Sequence, residues 1–480
     1  MTAGSRSYHR GASPRRGISF LVLALLLAVI LFSTPSLGLD YPTNFKFREV
    51  PNPLSGDNPR YSLLAMNLPQ VGQPFFDRRF GTVLTRVSQA PKLRQEYSRF
   101  DPFNRGQTMI LLLDITSGEW RVYQTKSFPY DQPGNLVRTI NNLAEPRWDR
   151  TDANVLWGLR DFSIVTLNVP TGQEVVIKDF SKDATLGPIL KAEPDLYRVT
   201  TKDEGEASRD RRYWALCLQG SQNDYRLRYI FCWDRQQDKI IGLYQLPLAE
   251  GQALDWVGMS PLGNWVIIGG EPVGSWSAGG LILANKALTT FHPLAYTTAH
   301  SDVGLDTLGR EVMVMQNSRT DYIDLIPLDL NSKVVNSVSD YANNLVQPLV
   351  RLYYASSAPT GLNSGVHISC NYSGYCLIST NTEPNLPEQN WLDRTITLVR
   401  LDRSNPRVFY LAKVYNTTGA YWEETQATIT EDGSKVVWAS NWGQNVGQEK
   451  VFVMQLDMPP NWQSRFAFSG ALVASLLLDD

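Results

Sequence analysis

The stretch from Gln426 to Ser440, QATITEDGSKVVWAS, holds a short run, a tight Asp-Gly turn and a longer apolar run rich in β-branched residues. The same arrangement recurs upstream as YSRFDPFNRGQTMILLLD from Tyr97, EPRWDRTDANVLWGL from Glu145, WVGMSPLGNWVIIGG from Trp256 and DVGLDTLGREVMVMQ from Asp302. Several copies run on into a third strand near another turn, as in FSIVTLNVPTGQEVVI, YIDLIPLDLNSKVV and TITLVRLDRSNPRVFYL. A weaker copy begins at GVHISCNYSGYCLIST, and RYWALCLQGSQNDYRLRYIFCWDRQQDKIIGLYQL supplies the strands of another.

These make about seven units spaced by roughly 45 to 60 residues, the signature of a β-propeller built from four-stranded blades. The predicted fold is therefore all-β, a seven-bladed β-propeller with an N-terminal extended arm; six or eight blades stay open on the repeat count alone. The last unit is one strand short, and RFGTVLTRVSQ, beginning at Arg79, is placed to supply it. Pairing the two chain ends in this way would hide strand edges that otherwise template aggregation. The chain divides into a signal peptide (1–38), a Pro- and Asn-rich arm (39–78), the propeller (79–460) and a C-terminal extension (461–480).

The chain has 480 residues, 43% hydrophobic and 19% charged, enough to bury a sizeable core. A formal charge of -2 without long like-charge runs argues against nucleic acid and anionic membrane surfaces as partners. Arg6, Arg10, Arg15 and Arg16 precede an apolar run from Ile18, followed by small residues at Ser36 and Gly38. That order is the grammar of an export signal and implies a secreted or periplasmic protein. The alternative is a retained membrane anchor over residues 18–34, facing outside the cytoplasm. Export would permit disulfides. Cys217 with Cys232, and Cys370 with Cys376, would face each other across hairpins; four buried thiols are the other reading.

The final repeat, ATITEDGSKVVWASNW, resembles the WSPDG-x-x-I-x-F-x-S unit of TolB-like propellers, a family of WD40-like (PD40) repeats. That resemblance implies a propeller and a protein-docking scaffold; it implies no reaction.

Side chains two apart on a strand share a face, so one parity of each innermost strand should point at the central channel. Aligning the repeats on their first turn residue puts Tyr97, Arg99, Glu145, Arg147, Trp256, Asp302, Glu424 and Gln426 on that face, with His300 and His367. A concave site with converging polar groups is the default place for a ligand. The bland reading is a charge network that ties blades together, since buried charges must be paired. Arginines suit carboxylate or phosphate recognition. Aromatic residues such as Trp276, Tyr421 and Trp422 would stack on sugar rings or simply pack. The cluster KDEGEASRDRR from Lys202 reads as a solvated loop, and Asn371 and Asn416 begin glycosylation sequons.

A second resemblance is to oligogalacturonate lyases, secreted or cytoplasmic seven-bladed propellers in which histidines and a glutamine, partly spaced Q-x-x-H-x-H, hold a manganese ion. In this sequence His300 and His367 match two of the metal histidines. Leu362 and Gly365 stand at the glutamine and middle histidine places, and Trp256 where a catalytic base is expected. Two ligands of four do not make a metal site. No cofactor is therefore expected, and a divalent metal stays open as an alternative that the residues do not support. A metal-free elimination would use Arg99 or Arg147 to hold the carboxylate and His300 or His367 as general base.

The sequence thus leads to an exported propeller binding a small polar, anionic ligand, an acidic oligosaccharide, at the channel mouth. A TolB-like scaffold with a protein partner on one face is the alternative, and a uronate lyase using His300 and His367 is a third reading.

Overall fold

The computed structural model describes residues 40–55, 58–221, 225–352, 364–382 and 390–465. The proposed signal or anchor, Leu362 and most of the C-terminal extension lie outside them. Among the described residues no helix is long and apolar enough to cross a membrane.

Seven antiparallel sheets follow one another along the chain. Their innermost strands are Leu93–Arg94, Ala144–Trp148, Arg198–Thr200, Leu254–Met259, Ser301–Leu305, Ser364–Ser369 and Thr428–Ile429, and they number blades 1 to 7. This is the seven-bladed β-propeller expected from the repeats. The upper mouth of the channel is taken as the end where the innermost strands begin, and the lower mouth as the end where they finish.

The apolar core is seven wedges, one at each blade interface. Strands in the middle of a blade are covered on both faces, so they read as continuous hydrophobic runs. In Met109–Asp114, Met109 and Leu111 pack with blade 2 while Ile110 and Leu112 pack with blade 7. In Lys435–Ser440, Val436 and Trp438 face blade 6 and Val437 faces blade 1.

The ring closes through the N-terminal segment. Val83–Arg86 pairs antiparallel with Phe452–Asp457 and completes blade 7. The preceding arm adds a fifth strand to two blades, Phe75–Phe76 on blade 7 and Arg48–Glu49 on blade 6. Tyr41 ties the ends together, its hydroxyl donating to Asp457 O at 2.6 Å and accepting from Val83 N at 2.8 Å.

One cysteine pair behaves as expected and one does not. Cys370 and Cys376 form a disulfide around the blade 6 turn. Cys217 and Cys232 are buried thiols, because the blade 3 hairpin sets Cys217 opposite Ile230 and Ala215 opposite Cys232. That register is two residues from the one that would set the two sulfurs opposite each other. Both sequon asparagines are buried, and Asn416 donates to Glu423 O and Ala439 O.

Candidate functional site

Four blades send side chains to one point at the upper mouth. His300 comes just before the blade 5 strand, His367 from the blade 6 strand, Tyr97 from the run after the blade 1 strand, and Glu424 from the segment leading into blade 7. The imidazole rings lie 4.5 Å apart. The Tyr97 hydroxyl is 3.5 Å from His300 Nδ1, and its ring meets that of His367 edge-on at 5.5 Å. His367 Nε2 stands 2.6 Å from Glu424 Oε2, which also accepts from Gln426 Nε2 at 3.4 Å. Beneath them Arg94, 0% exposed, donates to Gln426 Oε1 and Trp422 O at 2.5 Å each. Tyr421, 51% exposed, and Trp422 form an aromatic edge beside Glu424.

The protonation pattern follows from the partners. An ionised carboxylate only accepts, so His367 Nε2 carries a proton toward Glu424. His367 Nδ1 is buried without a partner. Burial raises the Glu424 carboxyl, but the hydrogen bond and charge of His367 outweigh it and hold it below its ordinary range. Burial and the neighbouring His367 push His300 down to about 3, so its imidazole is neutral at physiological pH. Burial lowers Arg94 to about 10, which leaves it charged. The mouth therefore offers a neutral imidazole, a phenol and a carboxylate next to aromatic surface. His300 Nε2 makes no hydrogen bond among the described residues.

Below the mouth, Arg99 crosses the channel. It is 5% exposed, donates from Nε to Ser301 O at 2.6 Å and from Nη1 to Glu204 O at 3.0 Å, and pairs with the Glu204 carboxylate at 3.1 Å. Its guanidinium lies 4.4 Å from the centre of the Trp256 ring. One side chain of blade 1 thereby links blades 3, 4 and 5.

The remaining predicted residues serve the walls. Arg147 pairs with Glu96 at 2.6 Å, donates to Asp203 O at 2.9 Å and lies 3.3 Å above the Phe100 ring. Burial and the charge of Asp203 raise the Glu145 carboxyl, which accepts hydrogen bonds from Thr200 and Thr201. Asp302 accepts from Cys370 N at 2.6 Å and Val303 N at 2.8 Å, joining blades 5 and 6. The structure thus gathers Tyr97, His300, His367, Glu424 and Gln426 at the mouth. It turns Arg99, Glu145, Arg147, Trp256 and Asp302 into ties between blades.

Sequence reasoning missed Arg94, Glu96 and Glu204. The run KDEGEASRDRR is not a solvated loop: Glu204 meets Arg99, Glu206 meets Arg150 at 3.2 Å, and Arg211 is 4% exposed. Its position just ahead of RYWALCLQG, where every other repeat places its innermost strand, was the available signal.

The residues at the places of the lyase metal ligands do not fit that metal. Gly365 has no donor, Trp256 lies against Arg99, and His367 Nε2 is engaged by Glu424. Among the described residues no three His, Cys, Asp or Glu side chains are grouped so as to hold an ion.

No family model matches the sequence, and no curated protein matches it. Solved structures do match. An oligogalacturonate lyase in complex with manganese superposes with a TM-score of 0.51 at 10% identity, covering 82% of this chain and 98% of that one. An oligogalacturonate lyase from Vibrio parahaemolyticus gives 0.49 at 10%, covering 81% and 97%. The WD40 repeats of RRP9 give 0.41 at 10%, covering 77% and 99%. At such identity the first likeness speaks for the fold alone.

Proposed function

We propose that this chain is an exported binding propeller that holds a small polyhydroxylated ligand, a saccharide segment, at its upper mouth. The observation that carries the reading is the convergence of Tyr97, His300, His367 and Glu424 from four blades, with His300 held neutral. A few fixed donors and acceptors beside aromatic surface are what a sugar needs: hydroxyls bond to the polar groups while the ring face lies on Tyr421 or Trp422. The preference for an acidic sugar loses its basis, since Arg99 and Arg147 already face Glu204 and Glu96. A uronate would have to displace one of those carboxylates. The Cys370–Cys376 disulfide agrees with an oxidising compartment.

Neutral and acidic oligosaccharides on a glycan array, followed by calorimetry of any hit, test this. His300→Ala and Glu424→Gln should each weaken binding at least tenfold with the fold intact. Binding of acidic glycans only, or hits indifferent to both substitutions, would overturn the reading. The lyase reading predicts an unsaturated product absorbing in the near ultraviolet from oligogalacturonate; the lack of a held carboxylate clamp leads us to expect none.

A further inference from the structure

The lower mouth holds a charged cavity. It encloses about 230 Å³ and is lined by, among others, Asp101, Arg150, Glu206, Asn371, Glu431 and Asp432, from blades 1, 2, 3, 6 and 7. Arg147 is the one channel residue singled out from the sequence that also lines it, and Arg99 lies between this space and the upper mouth.

Its lining carries charges of both signs. The carboxylates are Asp101, Asp149, Glu206, Glu431 and Asp432, with Glu431 N donating to Asp101 Oδ2 at 2.7 Å, and the guanidiniums are Arg105, Arg147 and Arg150. Arg150 bridges two of these carboxylates, with Nη1 2.7 Å from Glu431 and Nη2 3.2 Å from Glu206. Arg211 approaches the other Glu206 oxygen at 3.8 Å. Arg209 is held by Ser373 Oγ at 2.8 Å and Asn371 O at 3.1 Å, on the disulfide-closed turn of blade 6. Burial lifts the Asp101 and Glu431 carboxyls above their ordinary range, with Glu431 adding to the effect on Asp101 and Glu206 opposing ionisation of Glu431 despite Arg150.

We infer that the lower mouth binds a small zwitterion of the α-amino acid class, its carboxylate on Arg150 and its ammonium on Glu431. A bare anion entering the cavity would meet Asp101, Asp149, Glu206, Glu431 and Asp432, and a bare cation would meet Arg105, Arg147 and Arg150. A zwitterion inserts into the Arg150–Glu431 pair and replaces one ion pair with two, so no buried charge loses its partner. The Glu431 side chain is 36% exposed, so it can yield Arg150 to an incoming carboxylate. The volume equals that of about eight waters at roughly 30 Å³ each, which suits a free amino acid.

Calorimetry of the full chain against a panel of free L-amino acids tests this, adding for every hit its decarboxylated amine and its N-acetyl derivative. At least one amino acid should bind, both single-charge analogues should bind at least tenfold more weakly, and Glu431→Gln should cost at least tenfold. Because Glu431 stands at the rim, this variant keeps the test valid where Arg150→Gln fails to fold. No binding across the panel, analogues as tight as the parent, or unaltered affinity in Glu431→Gln would each overturn the inference.

Discussion

Asp302→Asn offers a quantitative test of how the blades are tied. Asp302 is buried, and burial lifts its carboxyl from 3.8 to about 7 against the opposing pull of Arg99 and two backbone N–H donors. A carboxyl raised in the folded state binds its proton more tightly there than in the unfolded chain. Its stabilising share is thus fully present below pH 3.8 and is lost as pH rises through about 7. Between pH 5 and pH 8 the linkage relation gives a loss of about 3 kcal/mol from this one group. An amide has no such proton to bind. Asparagine also turns an NH2 group toward either Cys370 N–H or Val303 N–H, so the variant is less stable overall, but that offset does not change with pH. Glu96, raised by burial to about 7, and Asp324, raised by burial to about 6, titrate equally in both proteins and cancel in the difference. Urea unfolding followed by tryptophan fluorescence from pH 5 to pH 8 reads the result. The advantage of wild type over Asp302→Asn should shrink by about 3 kcal/mol across that interval. Parallel stability curves would show that Asp302 does not take up a proton on folding, and would refute the account of a buried carboxyl held between blades.

Replacing Cys370 and Cys376 by serine should cost about 2 kcal/mol, the loop-closure value for their separation of 6 residues. Alkylation of the denatured, unreduced chain should label Cys217 and Cys232 and no other cysteine; four labels or none would contradict the pairing. Removing residues 1–86 takes away the strand Val83–Arg86 and exposes the edge of Phe452–Asp457, so the truncated protein should associate or precipitate. A soluble monomer would refute the role given to that strand. Expression in a glycosylating host should leave Asn371 and Asn416 unmodified in the folded protein, read by intact mass, since both side chains are buried.

What could be read from the sequence was set by period and repetition. Runs such as MILLLD and KVVWAS declare strands covered on both faces, and their recurrence gives the blades and the missing strand of the last one. Register was less legible. Nothing in the blade 3 sequence distinguishes the observed pairing of Cys217 with Ile230 from the register that would set Cys217 opposite Cys232. Alternation named ten candidate side chains without telling which of them meet at the mouth and which pair between blades. Glu145 and Gln426 have φ of 52° and 44°, left-handed values that interrupt the simple two-residue alternation. Partners were the other hidden element. Arg99 and Arg147 look like anion clamps until Glu204 and Glu96 are seen opposite them, and Glu204 comes from a charge-rich run whose composition suggests solvent. Gly304 shows the same limit: a Cβ there would lie 2.7 Å from Cys370 Cβ, a close approach of blades that only the fold reveals.

The pattern of pairing bears on what the channel can hold. Arg99 with Glu204 joins blades 1 and 3, Arg147 with Glu96 joins 2 and 1, Arg150 with Glu206 and Glu431 joins 2 to 3 and 7, and His367 with Glu424 joins 6 and 7. A buried ion pair contributes little net stability once desolvation is counted, while the loss of one member is strongly destabilising. Such pairs are therefore poor glue but stringent selectors: a ring that omits or misorders a blade leaves a charge uncompensated at the axis. The same stringency applies to a ligand. Any guest carrying net charge must either displace a paired side chain or face groups of its own sign. That condition favours an uncharged saccharide above Arg99, where His300 is neutral, and a zwitterion below it, where Arg150 and Glu431 stand ready to be separated. Both proposals thus rest on one physical constraint, that the arginines near the axis of this propeller already have carboxylate partners.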